Sequence, residues 1–298
     1  MDVSGIFPAL TTPYGEGGAV AIDYFKANLA RYDQTGIAGF VVLGSTGESV
    51  LLSSTEAEAL LIAAKEAAKP GKRLIAGTGA ESTAETIART KRAASIGFDV
   101  ALVKTPFYYK PAYKPEVYLR HYRAVADASP IPVLLYSVPI FTGVSLETPE
   151  ILELAQHPNI IGIKDSSGVI QRVVEVVGQA PKRFQVLTGG ASVVYPALAA
   201  GARGAILALG SALPERCVEI FDHFKRGQHA EAQALQQRLA LASKTIVSEN
   251  GIAGVKYAMD LRGYHGGMPR LPLLGLADEK KRQIADVVAQ FEPSKATA

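Results

Sequence analysis

The chain has 298 residues, 48% of them hydrophobic and 20% charged, with 28 glycines, one cysteine and no tryptophan. That hydrophobic share fills a sizeable core and excludes a disordered or coiled-coil chain. A net charge of +3 with no basic run excludes the footprint of a nucleic-acid or anionic-membrane binder.

The N-terminal MDVSGIFPAL lacks the basic-then-apolar pattern of a secretory signal. Short apolar runs then recur at 5–10, 39–43, 73–77, 100–104, 132–136, 160–164, 184–188 and 204–209. They are apolar on both faces, as parallel strands covered by helices must be. Between them lie alanine- and glutamate-rich stretches with helical character. The one at STEAEALLIAAKEAAK opens on Ser54, with Glu56 and Glu58 in its first turn, where acids suit the positive helix end. Gly36, Gly97 and Gly201 each close a helix just before a strand and read as left-handed caps. Eight such units call for a (β/α)8 TIM barrel, ahead of a doubly wound sheet, which usually needs fewer.

After the eighth run the strand signal stops. The segment 193–213 is the most apolar in the chain, but Pro196, Arg203 and its glycines break it too often for a membrane span. From Pro214 onward the pattern is helical, with Leu235, Leu239, Ala242 and Ile246 three to four residues apart and a last helix near 278–291. The domain reading is a barrel over 1–213 and a helical extension over 214–298 packed on it, ending in a SKATA tail expected to fray. Cys217, in ERCVEIF, reads as a packed helix residue; a single cysteine forms no intrachain disulfide, which fits a reducing, cytoplasmic location.

A barrel of this kind carries its chemistry at the C-terminal strand ends. Three ends stand out: the GSTGE turn at 44–48, Tyr136, and Lys164 followed by Asp165 and Ser166. If Lys164 points inward, strict alternation brings Gly162 and Ile160 inward too, and turns Ile161, Ile163 and Asp165 toward the helices. Gly162 would then leave space beside the lysine, and Tyr136 on the adjacent strand would meet its amine in the mouth. Such a lysine either snorkels to the rim and pairs with a carboxylate, or is buried, where its charge is costly and the neutral amine can attack a carbonyl. The latter is the chemistry of a Schiff-base enzyme. The GSTGE turn is either a plain βα turn or a cradle whose N–H groups and hydroxyls hold a small anion. The run from Gly77 to Ser82 lacks the third glycine of a dinucleotide turn and reads as a loop. Tyr108 and Tyr109 place two phenols at the same face, and the five scattered histidines show no metal-ligand spacing, so neither a metal nor a cofactor is expected.

Four motifs, GFVVLGSTGE, VKTPFYYKP, LLYSVPIFTG and IIGIKDSSG, resemble in order and spacing those of the dihydrodipicolinate synthase and N-acetylneuraminate lyase superfamily of pyruvate-dependent class I aldolases, over nearly the whole chain. The resemblance implies that Lys164 forms an imine with the keto carbon of pyruvate or a related 2-oxo acid. It implies that Tyr136 shuttles protons and that Ser45 and Thr46 hold the pyruvate carboxylate. Tyr108 matches a tyrosine that reaches in from a neighbouring subunit to complete a relay with Ser45 and Tyr136, within a homotetramer built as a dimer of dimers. Gly189 and Ile206 match positions that line the pocket.

Synthases of this superfamily usually carry an arginine in Pro-x-Arg-Thr-Gly for the second substrate's carboxylate; here that position is Phe141. The wording of SPIPVLLYSVP, HPNIIGIKDS and GIAGVKYAMDLRGYHGG is similar to the 4-hydroxy-2-oxoglutarate aldolase branch. The leading expectation is therefore cleavage of a 4-hydroxy-2-oxo acid, 4-hydroxy-2-oxoglutarate first, to pyruvate and an aldehyde such as glyoxylate. The alternatives are condensation of pyruvate with aspartate semialdehyde, as in dihydrodipicolinate synthase, and a barrel that binds a 2-oxo acid without catalysis.

Overall fold

The computed structural model describes residues 1–291; the SKATA tail lies outside them. The strands are β1 (Gly5–Pro8), β2 (Gly39–Val42), β3 (Arg73–Gly77), β4 (Val100–Lys104), β5 (Val133–Ser137), β6 (Ile160–Asp165), β7 (Gln185–Thr188) and β8 (Gly204–Leu207). All are parallel and each pairs with its sequence neighbour from β2 through β8, with β8 returning to β1. The seam between β1 and β2 is closed by Ala38 N–H donating to Ile6 O at 2.9 Å and Leu10 N–H to Val41 O at 3.0 Å. The result is the expected (β/α)8 barrel, with each strand within a residue or two of its apolar run.

The helices are α1 (Ile22–Tyr32), α2 (Ser54–Ala67), α3 (Thr83–Ile96), α4 (Pro115–Ala128), α5 (Pro139–Thr142) and α6 (Thr148–Leu154). They continue with α7 (Ile170–Gln179), α8 (Val194–Ala199), α9 (Pro214–Lys225), α10 (His229–Ala242), α11 (Gly251–Leu261) and α12 (Asp278–Ala289). Burial on both faces explains the uninterrupted apolar runs. Phe7, Val41, Ile75, Leu102, Leu134 and Leu187 fill the barrel interior, while Phe40, Leu74, Val103, Leu135, Ile163 and Val186 pack outward against helices.

Helix α2 opens on Ser54, as its sequence suggests, and Ser53 is its cap; its hydroxyl accepts from Glu56 N–H, and the Glu56 carboxylate accepts from Ser53 N–H. Gly36, Gly97 and Gly201 take φ of 78°, 101° and 102°, as expected.

Strict alternation along β6 fails at its start. The register with β5 shifts there, so that Val133 pairs with Ile160 but Leu134 with Gly162, and Ile161 is the extra residue of a bulge. Ile160 therefore packs in the outer cluster and Ile161 against the interior one, the reverse of expectation. Gly162 has a different purpose from making room for the lysine: a Cβ there would lie 2.1 Å from Gln185 O, so glycine is what lets β7 approach.

Beyond β8, Leu235, Leu239, Ala242 and Ile246 are buried in the same hydrophobic cluster as Ile6, Leu29 and Phe40 of the barrel, and Ile284, Val288 and Phe291 of the chain end join them. A π-helical segment, Ser243–Ser248, joins α10 to α11. Cys217 is buried in α9, and burial pushes its thiol up to about 12. No helix of the described residues is long and apolar enough to cross a membrane.

Candidate active site

The GSTGE motif folds as a 3-10 turn, Ser45–Gly47, directly after β2. Leu43 and Glu48, on either side of it, take φ of 60° and 56°, an unfavourable region for side chains of their kind. Tertiary contacts hold this strain in place. Gly77 lets β3 come so close that a Cβ would sit 2.1 Å from Leu43 O, and the Thr12 hydroxyl donates to Gly47 O at 2.7 Å. As the first amides of a 3-10 turn, Ser45 and Thr46 N–H have no acceptor within it, which is what an anion cradle requires.

Glu48 anchors the turn from below. Its carboxylate is 2.6 Å from the Lys256 amine of α11, with both side chains at most 1% exposed, and it accepts Arg270 N–H at 2.7 Å. Lys256 also donates to Met268 O at 3.0 Å, and burial lowers its affinity for the proton while Glu48 opposes that shift. The Arg270 guanidinium grips Glu56, Leu51 O and Gly18 O and stacks on Tyr14. The C-terminal extension thus straps the turn to the barrel.

Tyr136 and Lys164 are register partners at the ends of β5 and β6. The Lys164 amine lies 4.2 Å from the Tyr136 ring centroid, and the residue is only 4% exposed. It takes part in none of the ion pairs formed by the described residues, so it is buried rather than paired with a carboxylate at the rim. The neighbouring Asp165 turns away to Ser167 and Arg172. Tyr136 O–H and Ser45 Oγ are 3.4 Å apart, a long contact of the kind that tightens when substrate binds.

Ser45, Tyr136 and Phe141 line one cleft of about 290 Å³ at the barrel mouth, together with Glu48, Lys104, Phe107 and, from the C-terminal extension, Ile252, Pro272 and Leu273. The other expected residues lie elsewhere. Lys164 is covered beside Tyr136 and does not form the cleft wall. Thr46 is half-buried in the turn. Gly189 packs on Ser166, where a Cβ would be 1.8 Å from its hydroxyl, and Ile206 is part of the interior core; neither lines the cleft. Tyr108 is 72% exposed, edge-on to Tyr109, and within its own chain does not meet Ser45 or Tyr136. Phe141, on the short α5, is 62% exposed at the cleft rim.

Sequence reasoning missed the Glu48–Lys256 pair, which spans 208 positions and leaves no local signature, and it missed Lys104. For Lys104 a signal existed: as with Lys164, a lysine stands at the end of an otherwise apolar run. Among the described residues no group of three or more His, Cys, Asp or Glu side chains could hold a metal ion.

Comparison with known proteins identifies the family. The family model described as the dihydrodipicolinate synthetase family matches residues 2–291. A 4-hydroxy-tetrahydrodipicolinate synthase of Exiguobacterium is 35% identical over 97% of this chain and 98% of its own, and one from Xanthomonas campestris is 38% identical over 93% and 91%. Among solved structures, dihydrodipicolinate synthase from Bacillus anthracis superposes with a TM-score of 0.93 at 29% identity, covering 98% of this chain and 99% of that one. A prophage protein of the same family from E. coli, solved in complex with pyruvate, gives 0.91 at 26% identity over 97% and 99%. These names back the synthase alternative better than the 4-hydroxy-2-oxoglutarate reading that the sequence put first.

Proposed function

The chain belongs to the dihydrodipicolinate synthetase family, whose members are class I lyases that form a Schiff base with pyruvate, and we propose that Lys164 is the imine-forming amine. The observation that carries this is the buried Lys164 amine against Tyr136, whose hydroxyl in turn approaches Ser45 of the strained turn. In this reading the amine adds to the keto carbon of pyruvate and water is lost. The protonated imine then acts as an electron sink when the methyl group is deprotonated or a C–C bond breaks. Tyr136 moves the proton, with Ser45 as its relay and the N–H groups of Ser45 and Thr46 holding the carboxylate. Tyr108 would enter only across a subunit interface.

For the partner aldehyde, the names of the relatives favour condensation with aspartate semialdehyde. The specific observation favouring the second reading, cleavage of 4-hydroxy-2-oxoglutarate, is Phe141 at the rim where an arginine would serve the semialdehyde's carboxylate. Measuring kcat/KM with pyruvate plus aspartate semialdehyde, pyruvate plus glyoxylate, and 4-hydroxy-2-oxoglutarate alone ranks them. A preference of tenfold or more for the semialdehyde supports the first reading, and the opposite preference the second. Turnover of none of them would remove the proposal.

A further inference from the structure

The row of groups at the barrel mouth extends one strand beyond Lys164 and Tyr136. Lys104 closes β4 and is the register partner of Tyr136, as Tyr136 is of Lys164. Alternation sends it the same way: Leu102 is interior, whereas Ala101 and Val103 face the helices. Two strand spacings separate the β4 and β6 backbones, about 10 Å. That distance suits a small substrate joined to Lys164 at one end and to a second charge at the other.

The surroundings of Lys104 leave its amine room for a further partner. The side chain is 16% exposed and lines the cleft with Phe107, Tyr136 and Phe141. Its amine lies 5.1 Å from the Phe107 ring centroid, and the nearest carboxylate oxygen, on Glu81, is 3.7 Å away, outside hydrogen-bond range. Glu81 is committed elsewhere, since its other oxygen accepts Phe107 N–H and Tyr108 N–H, both at 2.9 Å. Burial disfavours the ammonium form, with Glu81 opposing. Gly79 clears the path of the chain, because a Cβ there would stand 2.8 Å from Lys104 Cγ. A cation largely removed from water, whose one ion pair among the described residues is this longer contact with Glu81, gains from an arriving carboxylate that can hydrogen-bond it directly. Lys110 offers no equivalent: its amine sits by Gly143, and it does not line the cleft.

We propose that Lys104 is the cation that receives the carboxylate of the partner aldehyde, selecting carboxylated aldehydes at a site whose Phe141 supplies no charge. This rests on the Schiff-base reading of Lys164. It applies equally to aspartate semialdehyde and to glyoxylate, because both carry the carboxylate that Lys104 would bind.

The test uses the full chain and pyruvate, comparing kcat/KM for a carboxylated aldehyde, glyoxylate, with that for its uncharged analogue glycolaldehyde. The wild type should prefer the acid. Lys104→Met should lower that preference by about 10-fold to 100-fold, the worth of one charge-assisted hydrogen bond, and Lys104→Arg should retain most of it. Lys104→Gln repeats the measurement should the methionine variant fail to fold. In parallel, borohydride with pyruvate is used to trap the imine in each protein. An adduct on Lys164 with an unchanged preference in Lys104→Met or Lys104→Gln overturns the assignment of Lys104 alone. Absence of any adduct in the wild type, or an adduct on Lys104, overturns the Schiff-base reading and this inference with it.

Discussion

Replacing Lys256 with methionine isolates what the buried ion pair under the GSTGE turn contributes. The substitution keeps the volume but leaves the Glu48 carboxylate, fully buried, with Arg270 N–H as its remaining close donor. Removing one partner of such a pair typically costs about 3–5 kcal/mol, because the other charge stays desolvated. With an unfolding entropy of about 2.1 cal/mol/K per residue, a chain of 298 residues loses about 5–8 °C in Tm. The loosened turn carries Ser45 and Thr46, so KM for pyruvate should rise as well. The double variant Glu48→Gln with Lys256→Met removes both charges and should recover more than half of the lost Tm. Scanning calorimetry of the wild type, both single variants and the double variant gives the coupling. A Tm within about 2 °C of wild type for Lys256→Met, or strictly additive effects in the double variant, would refute the claim that this pair holds the turn.

Two further consequences can be checked independently. Tyr136→Phe keeps the ring that packs on Lys164 and should leave pyruvate binding intact while lowering kcat by about 10²-fold to 10⁴-fold; a near-normal kcat would dismiss Tyr136 as the proton carrier. His121, buried in α4 with Nδ1 bonded to Thr83, is pushed down to about 4, mainly by desolvation. Its folded value lies below the unfolded one, near 6.5, so the unfolded chain takes up the proton first. Stability therefore falls as pH drops from about 6.5 to about 4. Tm measured across that window should decline less steeply in His121→Asn, and an identical slope in the two proteins would show that other groups set the acid limit.

The barrel was legible because a parallel strand covered on both faces must be apolar on both, and the chain repeats that pattern eight times before it stops. The candidate site was legible where a polar group breaks the pattern at a strand end, as Lys164 and Tyr136 do. Lys104 carries the same signal, but in VKTPFYYKP it directly precedes a loop whose two tyrosines are equally plausible polar groups at that strand end. The bulge at Ile161 was not legible, since nothing in IIGIKD marks which residue the neighbouring strand skips. Nor was the strap from Lys256 and Arg270, because ion pairs that join distant segments have no periodicity to betray them. Phe141 could be located from its motif, but what faces it depends on which cation the fold brings nearby, and that is a property of three dimensions.

In the proposed reaction the amine at the end of β6, rather than the one at the end of β4, performs the chemistry. Treating the protein with pyruvate and borohydride, digesting it and sequencing the modified peptide by mass spectrometry tests this directly. A reduced pyruvate adduct is expected on Lys164, absent without pyruvate and abolished in Lys164→Arg, whose guanidinium does not give up its proton. An adduct on Lys104, or none on any lysine, would contradict it.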